Sequence, residues 1–160
     1  MPDALIIDAC RTPRGIGKQG KGALAHLHPQ HLGRTVLEAL VARNGFDTAD
    51  VDDVVWGTSS QVCEQSGDLG RMSALDAGYD IRASGVTLDR FCGSGITANN
   101  IAANAIMAGM EDLVIGGGGV QHNVGADPDD SESPHFCCMK FYMDAAIARG
   151  IPWGFISCGF

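Results

Sequence analysis

The sequence predicts an α/β fold, a mostly parallel sheet with alternating helices. Three observations carry that expectation. Short apolar runs alternate with segments of helical periodicity along most of the chain. Glycine is abundant, at 22 of 160 residues, as suits many strand-to-helix turns. Hydrophobic residues make up 45% and charged residues 19%, in a chain long enough for one substantial core and too short for two ordinary α/β domains.

The elements follow in order. Ala4-Leu5-Ile6-Ile7 reads as an apolar strand, followed by a basic, glycine-rich loop from Arg11 to Lys18. Pro29 opens a helix on which Leu32, Val36, Ala39 and Leu40 share a face, and Asn44-Gly45 stops it. Val54-Val55-Trp56-Gly57 makes a second strand. Leu69, Met72 and Leu75, three residues apart, predict a second helix closing at Gly78. A third strand, Val86-Thr87-Leu88-Asp89-Arg90-Phe91, runs into Cys92. The helix after it begins near Ser94 and carries Ile96, Ile101, Ala102, Ala105 and Ile106; its small residues permit close approach on most sides, so a central, buried helix is expected. Asp112-Leu113-Val114-Ile115 is a fourth strand ending in Gly116 to Gly119, which completes a βαβαβαβ order and implies parallel pairing.

From about Gln121 the pattern breaks. Asp127 to Pro134 is an acidic loop, Met143 to Ala148 a short helical candidate, and Ile151 to Ile156 an edge-strand candidate. The chain therefore divides into an α/β domain over 1–120 and a divergent or truncated tail over 121–160.

A formal charge of -8 gives no electrostatic footprint for nucleic acid. No stretch approaches the ~20 apolar residues of a membrane span, and the first residues read as a strand and not as a signal peptide. A cytoplasmic protein is expected. The six cysteines, Cys10, Cys63, Cys92, Cys137, Cys138 and Cys158, are scattered, so reduced thiols are expected in place of a disulfide framework.

Phe91-Cys92-Gly93-Ser94-Gly95 is the most informative segment. It sets one thiol where a strand gives way to a helix, and unpaired amides with the positive end of the helix dipole favour a thiolate there. Gly93 and Gly95 leave room for a thioester carbonyl to reach the sulfur, and the Cys92 amide is placed to help hold the oxyanion formed on attack. The plainer reading of such a cysteine is a small apolar core residue.

Other clusters carry less. His26, His28 and His31 are interrupted by Pro29 and lack a cysteine or carboxylate to complete a metal set; they flank a helix start. His135, Cys137 and Cys138 lack the usual two-residue spacer of a zinc site. Gly116 to Gly119 has no G-x-G-x-x-G or Walker lysine and reads as a flexible turn near the active site. Arg11, Arg14, Lys18 and Lys21 read as a solvated basic loop, with the acidic groups of CoA or a neighbouring subunit as the alternative.

Four landmarks in this order resemble the thiolase family: the opening strand into Asp8-Ala9-Cys10-Arg11-Thr12-Pro13, the stretch Val51 to Gly57, the elbow Arg90 to Gly95, and Met110 to Ile115 before glycines. The resemblance implies a thiolase-like amino-terminal domain, and acyl transfer between acyl-CoA molecules through an acyl-enzyme on Cys92, as in acetyl-CoA acetyltransferases and 3-ketoacyl-CoA thiolases. It implies Gly93, Ser94 and Gly95 as substrate-binding residues, a CoA thioester as substrate, no metal or redox cofactor, a place in lipid and fatty acid metabolism, and a homo-oligomer. The resemblance stops near Gly119. The Asn-Glu segment, the Gly-His-Pro histidine and the second Cys-x-Gly-x-Gly of thiolases do not occur in this sequence, and Gly118-Gly119-Val120-Gln121-His122-Asn123 stands where the family has glycines running into Glu-Ser-Met-Ser. Weak or absent turnover in isolation is therefore expected. Two other readings follow: a non-catalytic remnant that associates with a complete thiolase subunit, and a thiol hydrolase that would need His122 or His135 as base.

Overall fold

The computed structural model describes residues 3–15, 22–24, 26–59 and 61–118. Its centre is a parallel three-stranded sheet of β1 (Asp53–Gly57), β2 (Ser84–Leu88) and β3 (Val114–Gly118), in the order β2-β1-β3. Val55 of β1 lies opposite Val86 on one side and Gly116 on the other. Helices alternate with the strands: α1 (Pro29–Asn44) precedes β1, α2 (Leu69–Asp76) joins β1 to β2, and α3 (Ser94–Met107) joins β2 to β3.

Successive side chains of β1 point to opposite faces of the sheet. Val54 and Trp56 enter a cluster with Leu37 of α1, Leu69 and Ala74 of α2, and Val51, Tyr79 and Ala83. Val55 points the other way, against Ala98 and Ala102 of α3, with Leu88 and Val114 alongside. The result is three layers: α1 on α2, the sheet, and α3.

Local chemistry sets the helix ends. Pro29 occupies the first turn of α1, His28 Nδ1 accepts from the Gln30 amide at 3.2 Å, and Gly45 closes the helix in the left-handed conformation at φ 67°. Asp68 caps α2, and its Oδ1 also accepts the Thr87 hydroxyl at 2.8 Å while Thr87 Oγ1 accepts the Gly70 amide at 2.9 Å, so the start of α2 is tied to β2. At the far end of the sheet Asp52 joins the strands. Its Oδ2 accepts from the Asp112 and Leu113 amides at 2.7 and 3.1 Å, and its carbonyl accepts from the Ser84 amide at 3.1 Å. The Asp112 amide, and after it that of Leu113, holds the Asp52 carboxyl below the ordinary carboxylate range. Glu111 nearby is pushed the other way, first by burial and then by Asp53 and Asp52.

Several expectations need correction. Ala4 to Ile7 forms no strand: Leu5, Ile6 and Ile7 are 81%, 91% and 74% exposed, because no described residue pairs with them. Only the end of this segment is anchored, by Asp8 to Arg43 and Asn44 and by the Cys10 thiol to the Val36 carbonyl. The buried line of α1 is Pro29, Gly33 and Leu37, with Leu32, Val36, Ala39 and Leu40 half-buried beside it. In α2, Leu69 is buried with Gly70, Ser73 and Ala74, whereas Met72 and Leu75 are exposed. Beside Leu69, small residues fill the buried side: Gly70 lies against Trp56 of the sheet and Ser73 against Gly33 of α1. In α3 only Ser94, Ala98 and Ala102 are buried. No described layer lies over its outer side, and Ile96 is 70% exposed. The strand before Cys92 stops at Leu88, because Asp89 to Phe91 form a turn. Gly116 to Gly118 belong to β3 and not to a flexible turn; Gly119 and the tail 121–160 lie outside the described residues.

Candidate active site

The carboxyl ends of the three parallel strands lie at one edge of the sheet, where the turn of residues 89–93 carries Cys92 from β2 into α3. Phe91 donates its amide to Asp89 Oδ1 at 2.8 Å, Gly93 donates to the Arg90 carbonyl at 3.0 Å, and Ser94 donates to the Phe91 carbonyl at 3.1 Å. Phe91 sits at φ 49°, left-handed backbone that costs a non-glycine residue on the order of 1 kcal/mol. The chain reversal therefore depends on the bonds around it.

Cys92 follows that residue, one position ahead of the cap of α3. Its side chain is exposed, and among the described residues none accepts a hydrogen bond from its amide. Gly93 caps α3 with no side-chain bond, and its carbonyl accepts from the Thr97 amide at 3.0 Å. A Cβ on Gly95 would enter open space, and one on Gly93 would meet only ordinary contacts with Arg90. Neither glycine has a positive φ, so the fold does not require glycine at either position.

Ser94 is placed differently from its neighbours. It is 3% exposed, and its hydroxyl faces inward, 2.7 Å from the Arg90 amide and the Phe91 carbonyl and 2.9 Å from the Thr58 carbonyl. Gly57 makes this possible, since a Cβ there would strike the main chain of Ser94 and Gly95. Gly118, at φ 129°, pairs with Gly57, and a Cβ there would strike the Gly57 main chain. The Thr58 amide donates to the Leu88 carbonyl at 2.9 Å, and Thr58 Oγ1 meets the buried Gln65 Oε1 at 3.0 Å. Gly57, Thr58 and Gln65 had no signal in the sequence that tied them to Cys92; a glycine closing an apolar strand was the nearest to one.

Cys10 contrasts with Cys92. Cys10 is partly buried, its thiol lies 3.4 Å from the Val36 carbonyl, and burial is the main cause that raises its pKa. His26, His28 and His31 are at the start of α1, where His28 serves as a cap. Among the described residues no group of three His, Cys, Asp or Glu side chains is placed to hold a metal ion. No helix among them is long and apolar enough to cross a membrane. Arg11 and Arg14 are exposed. Lys18, Lys21, His122, His135, Cys137 and Cys138 lie outside the described residues.

The described residues thus form a parallel α/β domain with an exposed thiol on the turn into a helix, and comparison with known proteins shows its family. Residues 4–130 match the thiolase N-terminal domain, so the chain belongs to the thiolase family. It is 44% identical over 118 residues to the steroid 3-ketoacyl-CoA thiolase FadA6 of Mycobacterium tuberculosis, covering 74% of this chain and 28% of that protein. The 3-ketoacyl-CoA thiolase of Psychrobacter cryohalolentis is 36% identical over 137 residues, 81% of this chain and 35% of its own length. The beta-ketoadipyl-CoA thiolase of Acinetobacter baylyi is 42% identical over 119 residues, 74% and 29% respectively. The chain thus spans about a third of the length of the curated relatives it matches.

Proposed function

We propose that this chain carries the acyl-accepting half of a thiolase reaction, with Cys92 as nucleophile and a CoA thioester, of acetyl-CoA or a 3-ketoacyl-CoA, as substrate. The exposed Cys92 thiol on the turn ahead of α3, in a chain of the thiolase family, is the observation that carries this reading. The thiolate attacks the thioester carbonyl carbon, and the carbonyl oxygen takes the negative charge beside the Cys92 amide. Collapse of that intermediate breaks the bond to the CoA sulfur and leaves the acyl group on Cys92. The CoA thiolate departs and takes a proton from water. Gly93 and Gly95 leave the approach open. Attack on the acyl-enzyme by CoA reverses the step, and attack by an acyl-CoA enolate forms a carbon–carbon bond.

Relatives named 3-ketoacyl-CoA thiolases support a role in lipid and fatty acid metabolism, and a cytoplasmic homo-oligomer is part of the same proposal. Complete turnover needs proton-handling groups that the described residues do not bring to Cys92, so the half-reaction is the activity assigned to this chain. A second reading, a non-catalytic module that associates with a full-length thiolase, is favoured by one observation: the outer side of α3 and the segment Leu5 to Ile7 expose large apolar side chains.

The test is exchange of labelled CoA into acetyl-CoA, which requires only the acyl-enzyme. The wild-type chain is expected to catalyse exchange and Cys92→Ser to abolish it. Equal exchange by both would remove Cys92 from the chemistry, and none by either would leave the association reading.

A further inference from the structure

We propose that Ser94 is the positioning residue of the nucleophile: its buried hydroxyl locks the turn at Phe91 and thereby presents the Cys92 thiol ahead of α3. The inference rests on the reading of Cys92 as acyl acceptor and assigns Ser94 a role on the protein side of the sulfur, not on the substrate side. A serine hydroxyl has one proton and two lone pairs. Here one lone pair accepts the Arg90 amide at 2.7 Å, and the proton is shared between the carbonyls of Phe91 at 2.7 Å and Thr58 at 2.9 Å. With 3% of its surface exposed, Ser94 is out of reach of a substrate that stands over Cys92.

Those three contacts join the two elements that must stay in register. Arg90 and Phe91 belong to the turn, and Thr58 directly follows β1, where its amide is fixed to Leu88 of β2 and its hydroxyl to Gln65. Gly57 lets the Ser94 main chain come close enough for the bond to form. Phe91 is held at φ 49° between Asp89 and Ser94. Without the hydroxyl the Arg90 amide loses its acceptor, and nothing on the Ser94 side chain opposes the return of Phe91 to negative φ, which turns Cys92 away from the start of α3.

The experiment measures alkylation of Cys92 by iodoacetamide, mapped by peptide mass, across a pH series at a temperature where each variant is folded. Ser94→Ala is expected to slow alkylation at Cys92 by roughly fivefold, the scale of a lost helix-terminus interaction. Adding Phe91→Gly to Ser94→Ala should restore most of the rate, because glycine holds a positive φ without help. A side chain that served stability alone would lower the unfolding midpoint, leave the Cys92 rate of the folded protein unchanged, and gain nothing from the glycine. In the wild-type chain the Arg90 amide should be protected from hydrogen exchange, a measurement that needs no variant to fold. An unchanged or faster rate in Ser94→Ala, no recovery in the double variant, or an unprotected Arg90 amide would overturn the proposal. Iodoacetamide carries no CoA, so these results stand apart from acetyl-CoA labelling: failure of that labelling removes Cys92 as acyl acceptor and leaves the role of Ser94 in presenting the thiol intact.

Discussion

On the α1/α2 face of the sheet, Leu37, Val54, Trp56, Leu69 and Tyr79 are buried together; on the α3 face the buried apolar cluster among the described residues is Val55, Ala98 and Ala102, and Ile96 and Ile101 are exposed. The first face holds the fold by volume. The second holds α3 by closeness: Gly57 admits the Ser94 main chain, and Gly116 admits Asn99 and Ala102. The two faces should therefore fail in opposite ways, one to truncation and the other to added atoms. Cys92 rides on the second, so its presentation depends on small residues and on the hydroxyl of Ser94 more than on the main core.

Truncation on the large face should have the greatest effect on stability. Leu37→Ala, at a fully buried position, is expected to cost about 3 kcal/mol in chemical denaturation, while the folded fraction keeps the wild-type rate of Cys92 labelling. If labelling fell with it, the two faces would not be separable. Added volume on the small face should show the reverse pattern. Gly57→Ala would force the main chain at Ser94 and Gly95 to move, at a cost of roughly 1 to 3 kcal/mol, and should slow Cys92 labelling even where the protein is fully folded. A wild-type labelling rate in folded Gly57→Ala would contradict the dependence of Cys92 on that close approach.

The end of the sheet away from Cys92 gives a smaller, pH-dependent contrast. The folded-state pKa of Asp52 is depressed, so its stabilisation is present above the ordinary value of 3.8 and fades as pH falls through the folded pKa. That of Glu111 is raised, so stability is fullest below the ordinary value of 4.5 and is lost as pH rises through the folded pKa. At neutral pH Asp52→Asn should lower the unfolding midpoint and Glu111→Gln should raise it. The Glu111 effect should vanish in acid, where the carboxyl is protonated in both states; midpoints that move in the same direction would refute the assignment. Smallest of all, Ile96→Ser on the open side of α3 should change stability by no more than about 0.5 kcal/mol. A loss well beyond that would mean that the outer side of α3 is covered in solution.

Much of this contrast was legible in the sequence, and the rest was not for physical reasons. The apolar run Val54 to Trp56, the stop at Asn44-Gly45 and the turn of Cys92 into a helix at Ser94 are local signals, and all three hold. Ala4 to Ile7 has the composition of a strand, but strand formation requires a neighbour, and composition does not reveal one. Leu69, Met72 and Leu75 predict the helix, but of the three only Leu69 is buried, because Gly70 lies against Trp56 of the sheet and Ser73 against Gly33 of α1. Cys92 was identifiable because the turn itself sets it apart. The inward hydroxyl of Ser94 meets the Thr58 carbonyl, 36 positions away in the chain. No periodicity connects those two residues.

The central claim is that the thiol on the α3 face, and not the one against α1, captures an acyl group. Peptide-mapped mass analysis of the folded wild-type chain with excess acetyl-CoA tests it directly. A single acetyl increment on Cys92, with Cys10 unmodified, is the expected result; an unmodified Cys92, or acetylation of Cys10 in its place, would contradict it.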